Sequence, residues 1–177
     1  DIAKARGLDA IDTTVAMLRE AEGDVGIVSY NMLESDIARF MQQPWRMTSS
    51  DGGLVKMGEG VPHPRSYGSF PRMIAHYARD RKVVPVSKAI HSMTGLPATV
   101  YRMKDRGFLR EGMVADVVVF NLAQMKDVGT FTDPHHLAEG VDYLIVNGRL
   151  SIDDGAFTNA MSGRVLDRNG ADKKRGE

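Results

Sequence analysis

An α/β fold is what the sequence predicts, with parallel βα units up to about Lys104 and a mostly β segment after them. Three observations carry this expectation. Helical and strand-like patterns alternate from Gly7 to Ser50, and short connections in that order favour parallel βα units of a sheet or barrel. From about Arg106 the texture changes to β-branched runs. Asn147-Gly148 then separates two strand-like runs, a strong hairpin signal because a type I′ turn needs positive φ at both central residues.

The elements follow in order. Gly7 to Glu22 reads as an amphipathic helix with Leu8, Ile11, Val15 and Leu18 on one stripe. Gly23 stops it, and Val25 to Tyr30 reads as a short buried strand. Glu34 to Gln42 is a second helix, with Ile37, Phe40 and Met41 on a shared face. Pro44 ends that helix, and Trp45 to Ser50 reads as a further strand closing on Asp51-Gly52-Gly53. A glycine-rich loop runs to about Ser66. Phe70 to Arg81 is helical, with Phe70, Met73, Ile74 and Tyr77 inward. Pro85 opens another helix at a favoured first-turn position and Gly95 closes it. Leu96 to Met103 is one more short helix. Val114 to Asn121, Asp142 to Asn147 and Arg149 to Ile152 are strands, with Asp154-Gly155 as the next turn. The polar residues 168–177 have no core to join.

Composition removes several classes of function. Lysine plus arginine and aspartate plus glutamate stand at 23 each, which leaves no electrostatic footprint for nucleic acid or acidic lipid. No apolar run is long enough to span a bilayer. The absence of cysteine excludes disulfides, thiolate zinc sites and a cysteine nucleophile, and fits a reducing, cytoplasmic compartment. The chain opens at Asp1 without an initiator methionine, which leads to the expectation of a processed or trimmed product.

Asp51 is the first candidate site residue. A carboxylate directly after a strand in a βα series lies where the loops of a parallel barrel gather around reacting groups. Gly52 and Gly53 let the backbone turn sharply and keep side chains away from a ligand. Ser50-Asp51-Gly52 is equally the composition of an ordinary turn, and on spacing alone the turn is the better account. His63-Pro64-Arg65 follows in the loop. Pro64 pushes His63 out of the helical region, so the tripeptide is expected to be extended and to project both flanking side chains. Arg65 could grip a carboxylate with a bidentate fork, or pair with a neighbouring acid at the surface. Gly58-Glu59-Gly60 lacks the pattern of a phosphate-binding loop.

The five histidines, His63, His76, His91, His135 and His136, form no HxH, no HExxH and no i, i+4 helical pair. His135 and His136 follow Asp133-Pro134, which reads as a helix N-terminus, so their side chains diverge. No GxSxG nucleophile elbow is present. Residue chemistry alone thus offers an acid/base and an anion clamp, and no metal site.

The motifs become specific in combination. Ser49-Ser50-Asp51-Gly52, His63-Pro64-Arg65 and Gly68-Ser69-Phe70-Pro71-Arg72 resemble the final barrel segment of the D-aminoacylase (N-acyl-D-amino-acid deacylase) family of the amidohydrolase superfamily. The resemblance continues through Met93-Thr94-Gly95-Leu96-Pro97-Ala98 and Gly107 to Phe120. It ends with Val146-Asn147-Gly148 and Gly163-Arg164-Val165-Leu166, so that it covers Trp45 to Leu166.

That resemblance implies the last βα units of a (β/α)8 barrel over residues 1–105, the C-terminal part of a small β-sandwich over 106–167, and a polar tail over 168–177. It implies that Asp51 faces the metal centre as general acid/base, and that Arg65 receives the substrate carboxylate, with His63 and Gly52 beside it. It implies zinc in the full-length enzyme, which acidifies a water and polarises the amide carbonyl. The family's metal ligands have no counterpart here, so this chain is expected to hold no zinc alone and to be inactive without the missing N-terminal barrel segment. The implied partner is a small-molecule N-acyl-D-amino acid, with oligomeric state left open. Two other readings stand beside this one: a non-catalytic binding or scaffold module derived from the same fold, and a dihydropyrimidinase-like cyclic amidase. Arg65 favours a substrate with a free carboxylate over a cyclic diamide. D-Leu-like and D-Glu-like substrates are not separable by these residues.

Overall fold

Helices dominate up to Val100 and an antiparallel sheet follows, in a computed structural model that describes residues 1–27 and 29–166. The chain forms two units, Asp1–Met32 and the part from Leu33 onward. The polar tail expected at 168–177 lies outside the described residues.

In the first unit the expected helix is α2 (Ala10–Glu20), and a short helix that the sequence pattern does not predict, α1 (Ile2–Arg6), precedes it. The break between them has a local cause. Gly7 adopts φ 66°, and Asp9 caps α2 by accepting from the backbone N–H groups of Ile11 at 2.7 Å and Asp12 at 3.0 Å, which satisfies two of the donors a helix start leaves open. Arg6 clasps Glu20 with two hydrogen bonds of 2.8 and 3.0 Å. Val25–Ile27 and Ser29–Tyr30 form no strand, contrary to expectation, because no neighbouring strand pairs with them among the described residues.

The second unit begins with α3 (Glu34–Met41), whose first turn carries Glu34 and Asp36, favourably placed against the helix dipole. Ile37 and Met41 pack inward as expected, whereas Phe40 is exposed. Trp45–Ser50 is not a strand either. Thr48 ties it instead to the end of α5 (Val86–His91): its N–H donates to Ser92 O at 2.9 Å, and the two hydroxyls meet at 2.8 Å. After the 51–64 loop come α4 (Arg65–Arg72) and, without a break, an eight-residue π-helix, Met73–Asp80. Pro71 removes one backbone donor just before the winding widens, and Arg81 N–H closes the last wide turn on His76 O at 3.0 Å.

The wider helix buries two faces at once. Met73, Tyr77 and Ala78 pack with Met41, Val84 and Ala89, while Ile74 and Ala75 pack with Met125 and, beyond it, Phe120, Leu122 and Val141. Phe70, expected inward, is exposed. Gly95 opens α6 (Gly95–Val100), where the sequence suggested a stop.

The β expectations hold closely. The strands β1 (Val117–Phe120), β2 (Val141–Val146), β3 (Arg149–Asp153) and β4 (Ala156–Phe157) form one antiparallel sheet in the order β1-β2-β3-β4. Asn147 and Gly148 have φ 50° and 75° in the β2–β3 turn, the positive values that the hairpin signal requires. The architecture is therefore α/β, with an open sheet and no closed barrel among the described residues. No helix among them is long and apolar enough to cross a membrane.

Arginine side chains tie α4 and the π-helix to the segment that follows β1. Arg79 sends one guanidinium nitrogen to the carbonyls of Leu122 and Met125, both at 2.8 Å, and Arg72 pairs with Asp127 at 2.9 Å. The two β motifs also meet. Asp116 accepts from the Asn147 backbone N–H at 2.7 Å and pairs with Arg106, which donates to Asn147 Oδ1 at 2.5 Å. Asn147 Nδ2 donates to Ser162 O at 2.6 Å. The Ala115-Asp116 and Val146-Asn147-Gly148 motifs thus do structural work. They fix a hairpin.

Candidate active site

Asp51 and Arg65 are ion-paired, with Asp51 Oδ2 3.0 Å from an Arg65 terminal nitrogen. The sequence suggests both; the structure brings them together. Asp51 sits at φ 48°, a left-handed conformation that aspartate tolerates better than most residues. Gly52 explains how the chain passes so near α4. A Cβ at that position would lie 2.9 Å from Ser66 Cα and 3.2 Å from Arg65 O, so any side chain there would push the loop off the helix start. Ser50 Oγ accepts from Gly52 N–H at 3.2 Å, and the Ser69 hydroxyl donates to Arg65 O at 2.9 Å with Ser50 O at 3.4 Å.

The His63-Pro64-Arg65 tripeptide is not extended, a correction to the sequence expectation. Pro64 adopts φ −59° and ψ −16°, and the chain turns helical from there, with Ser66 N–H on His63 O and Tyr67 N–H on Pro64 O, each at 3.0 Å. Proline presets φ for a helix start, and that effect governs here. His63 Nδ1 accepts from the Arg65 backbone N–H at 3.0 Å. A neutral imidazole accepting at Nδ1 carries its proton on Nε2, so His63 offers a donor at its outer nitrogen. Its ring meets Phe131 edge-on, 4.9 Å between centroids.

Burial pushes the His63 pKa down, and the Arg65 charge adds to this while Asp51 opposes it. A histidine whose folded pKa is depressed binds fewer protons folded than unfolded near pH 6, so the stability it contributes is present above the unfolded value and lost as pH falls through the folded one. Titration of the His63 ring by NMR should therefore give a midpoint below the usual value of 6.5. A midpoint at or above it would refute the half-buried, acceptor-bound ring described here.

Several contacts lay beyond the reach of the sequence. His135 Nδ1 accepts from Gly58 N–H at 3.1 Å and lies 2.9 Å from the Tyr67 hydroxyl, while His135 Nε2 reaches Gly60 O at 3.0 Å. The expected helix at Asp133-Pro134 is absent, because Thr130 and Asp133 bond to each other across a turn instead. His136 does diverge from His135, turning back to Asp133 at 2.8 Å. His76 lies in the π-helix and His91 ends α5. A cavity of about 250 Å³ lies beside Arg46, Lys88 and His91, and no predicted site residue lines it.

Among the described residues, no three His, Asp or Glu side chains converge where they could hold a metal ion. The residues present do not by themselves fit a zinc site. What the arrangement can do is narrower: hold a carboxylate beside a guanidinium at an exposed rim, with a histidine donor nearby.

Comparison with known proteins gives a consistent result. The family model described as "Amidohydrolase family" matches residues 3–152. A D-aminoacylase of Alcaligenes xylosoxydans xylosoxydans is 37% identical over 97% of this chain and 34% of its own length. The N-acyl-D-aspartate and N-acyl-D-glutamate deacylases of the same organism are each 34% identical, over 88% and 95% of the chain and 30% and 33% of their own lengths. Among solved structures, the N-acyl-D-glutamate deacylase of Bordetella bronchiseptica, complexed with zinc and a phosphonate inhibitor that mimics the tetrahedral intermediate, superposes with a TM-score of 0.74. It is 33% identical and matches 92% of this chain and 34% of its own. A D-aminoacylase studied for its binuclear metal centre superposes at 0.70 with 38% identity, over 76% of this chain and 28% of its own. The chain spans about a third of the length of the curated relatives it matches.

Proposed function

The chain belongs to the amidohydrolase family, and on that footing we propose that it is the C-terminal portion of a zinc-dependent deacylase that hydrolyses the amide bond of N-acyl-D-amino acids. Residues 1–105 would contribute to the (β/α)8 barrel and 106–167 to the β-sandwich. The metal ligands would come from the remaining barrel segment. The zinc-bound N-acyl-D-glutamate deacylase supports a zinc cofactor in the full-length enzyme, where such an ion supplies Lewis acidity and an acidified water. The absence of cysteine fits a cytoplasmic setting.

The observation that carries the reading is the apposition of Asp51 and Arg65 in a chain homologous to three N-acyl-D-amino-acid deacylases. Each group then has a distinct task. Asp51 accepts a proton from the attacking water and returns it to the departing amine. Arg65 takes the free carboxylate of the substrate in its fork. His63 donates from Nε2 at the same rim, and Gly52 leaves the space open.

The ion pair between base and clamp must part for this to work. Both side chains are solvent-accessible, and an exposed pair is worth only about 0–1 kcal/mol. A bidentate fork to the substrate carboxylate offers two charge-assisted hydrogen bonds against that weak pair, so substrate can displace Asp51. Arg65 changes partner; Asp51 is released as it does so.

The test is direct. The full-length enzyme, metal-loaded, should release free amino acid from N-acyl-D-amino acids and not from their L enantiomers, and a chelator should abolish the release. Hydrolysis of cyclic diamides in preference to acyl amino acids, or none of either, would overturn the assignment.

A further inference from the structure

The loop between Asp51 and Arg65 has little of its own to hold it in place. Leu54, Met57, Glu59 and Gly60 are exposed, and the loop's internal bonds are short-range: Glu59 N–H to Lys56 O at 3.1 Å and the Lys56–Glu59 ion pair. The hydrogen bonds that Gly58 and Gly60 make across the chain converge on one imidazole. His135 accepts at Nδ1 from Gly58 N–H and donates at Nε2 to Gly60 O, which together fix the neutral Nε2–H tautomer. The same Nδ1 meets the hydroxyl of Tyr67, which projects from the first turn of α4 next to Arg65. Four residues before His135, Phe131 lies edge-on against His63, at the other end of the loop.

We propose that His135 is a positioning residue for this site: its ring pins the 54–62 loop to the start of α4 and so sets the path by which a substrate reaches Asp51 and Arg65. The inference rests on the reading of Asp51 and Arg65 as the reacting and carboxylate-binding groups. An imidazole suits the task because its two nitrogens face opposite ways, one accepting and one donating, in a rigid ring. No amide side chain spans both bonds. Asparagine places an acceptor near Nδ1, and glutamine places a donor near Nε2, so each replacement should keep one tie and lose the other.

Three measurements on the full-length metal-loaded enzyme test this, two of them independent of activity. In His135→Ala, backbone amide exchange at Gly58 should speed up and trypsin should cut after Lys56 faster than in the parent, because the loop opens locally. His135→Asn should restore part of the Gly58 protection, and Tyr67→Phe should weaken it less than the alanine change. In steady-state assays, KM for an N-acyl-D-amino acid should rise roughly tenfold in His135→Ala, the equivalent of about 1.4 kcal/mol and the order of one lost hydrogen-bonded tie. The value of kcat should change far less. Unchanged exchange and cleavage in His135→Ala would overturn the positioning role outright. Faster exchange with an unchanged KM would overturn the link to substrate. If the parent enzyme hydrolyses no acyl amino acid, the functional reading fails while exchange and cleavage still judge the pin.

Discussion

Asp51→Asn in the full-length enzyme should lower kcat by about 10²–10⁴-fold, the range that a positioned general acid/base contributes, and leave the melting temperature within a degree or two of the parent. Asparagine is the informative replacement because of the backbone. Asp51 sits at φ 48°, and asparagine is among the few residues that enter that region easily. Alanine would add backbone strain and confuse lost chemistry with lost structure. Asparagine also keeps an oxygen that can face Arg65, so the 3.0 Å contact can persist as a hydrogen bond. What it cannot do is take a proton from water. Activity and circular dichroism measured on the same preparation separate the two effects, and near-normal turnover would reduce Asp51 to the turn residue its spacing alone suggests.

The β half was legible because its signals are local. Positive φ at Asn147 and Gly148 follows from the turn they make, and the β-branched run at Val117–Phe120 needs only the hairpin beside it. The strands expected at 25–30 and 45–50 failed for the opposite reason. A parallel strand is defined by neighbours far away in sequence, and among the described residues no strand pairs with those segments. Side-chain facing failed in the same manner. Phe40 and Phe70 lie on the apolar sides of their helices, yet both are exposed, since periodicity says which residues share a face and not what covers it.

The site divides along the same line. Asp51, Gly52 and Arg65 stood out only where their motifs combined into a family resemblance, since spacing alone favoured a turn at Asp51. The π-helix that follows could be read at most as a helix, since Pro71 announces a disturbance without saying how the winding responds. His135 gave no signal at all. Its partners Gly58 and Gly60 lie in a distant loop, and one sequence carries no mark of such a pairing. The most recognisable β motifs are occupied in holding the hairpin. Asp116 and Asn147 serve the hairpin and bind each other, which shows that a strong family signature and a reacting group are separate things.

Arg65→Ala should then raise KM for N-acyl-D-amino acids by about two orders of magnitude, the equivalent of roughly 3 kcal/mol for losing one partner of a desolvated charge pair. The value of kcat should stay within a few-fold, because Arg65 holds a group that does not react. A control distinguishes this from general damage. An N-acyl-D-amino amide has no carboxylate for Arg65 to hold, so its KM should be nearly the same in parent and variant. The fold should tolerate the change, since Arg65 begins α4 at an exposed position and its backbone N–H still bonds His63 Nδ1. Lysine is not an adequate substitute, because it offers a point charge where the substrate carboxylate needs a fork, and Arg65→Lys should recover only part of the loss. An unchanged KM for the carboxylate substrate would mean that the contact with Asp51 is the whole role of Arg65: a surface ion pair of small energetic weight.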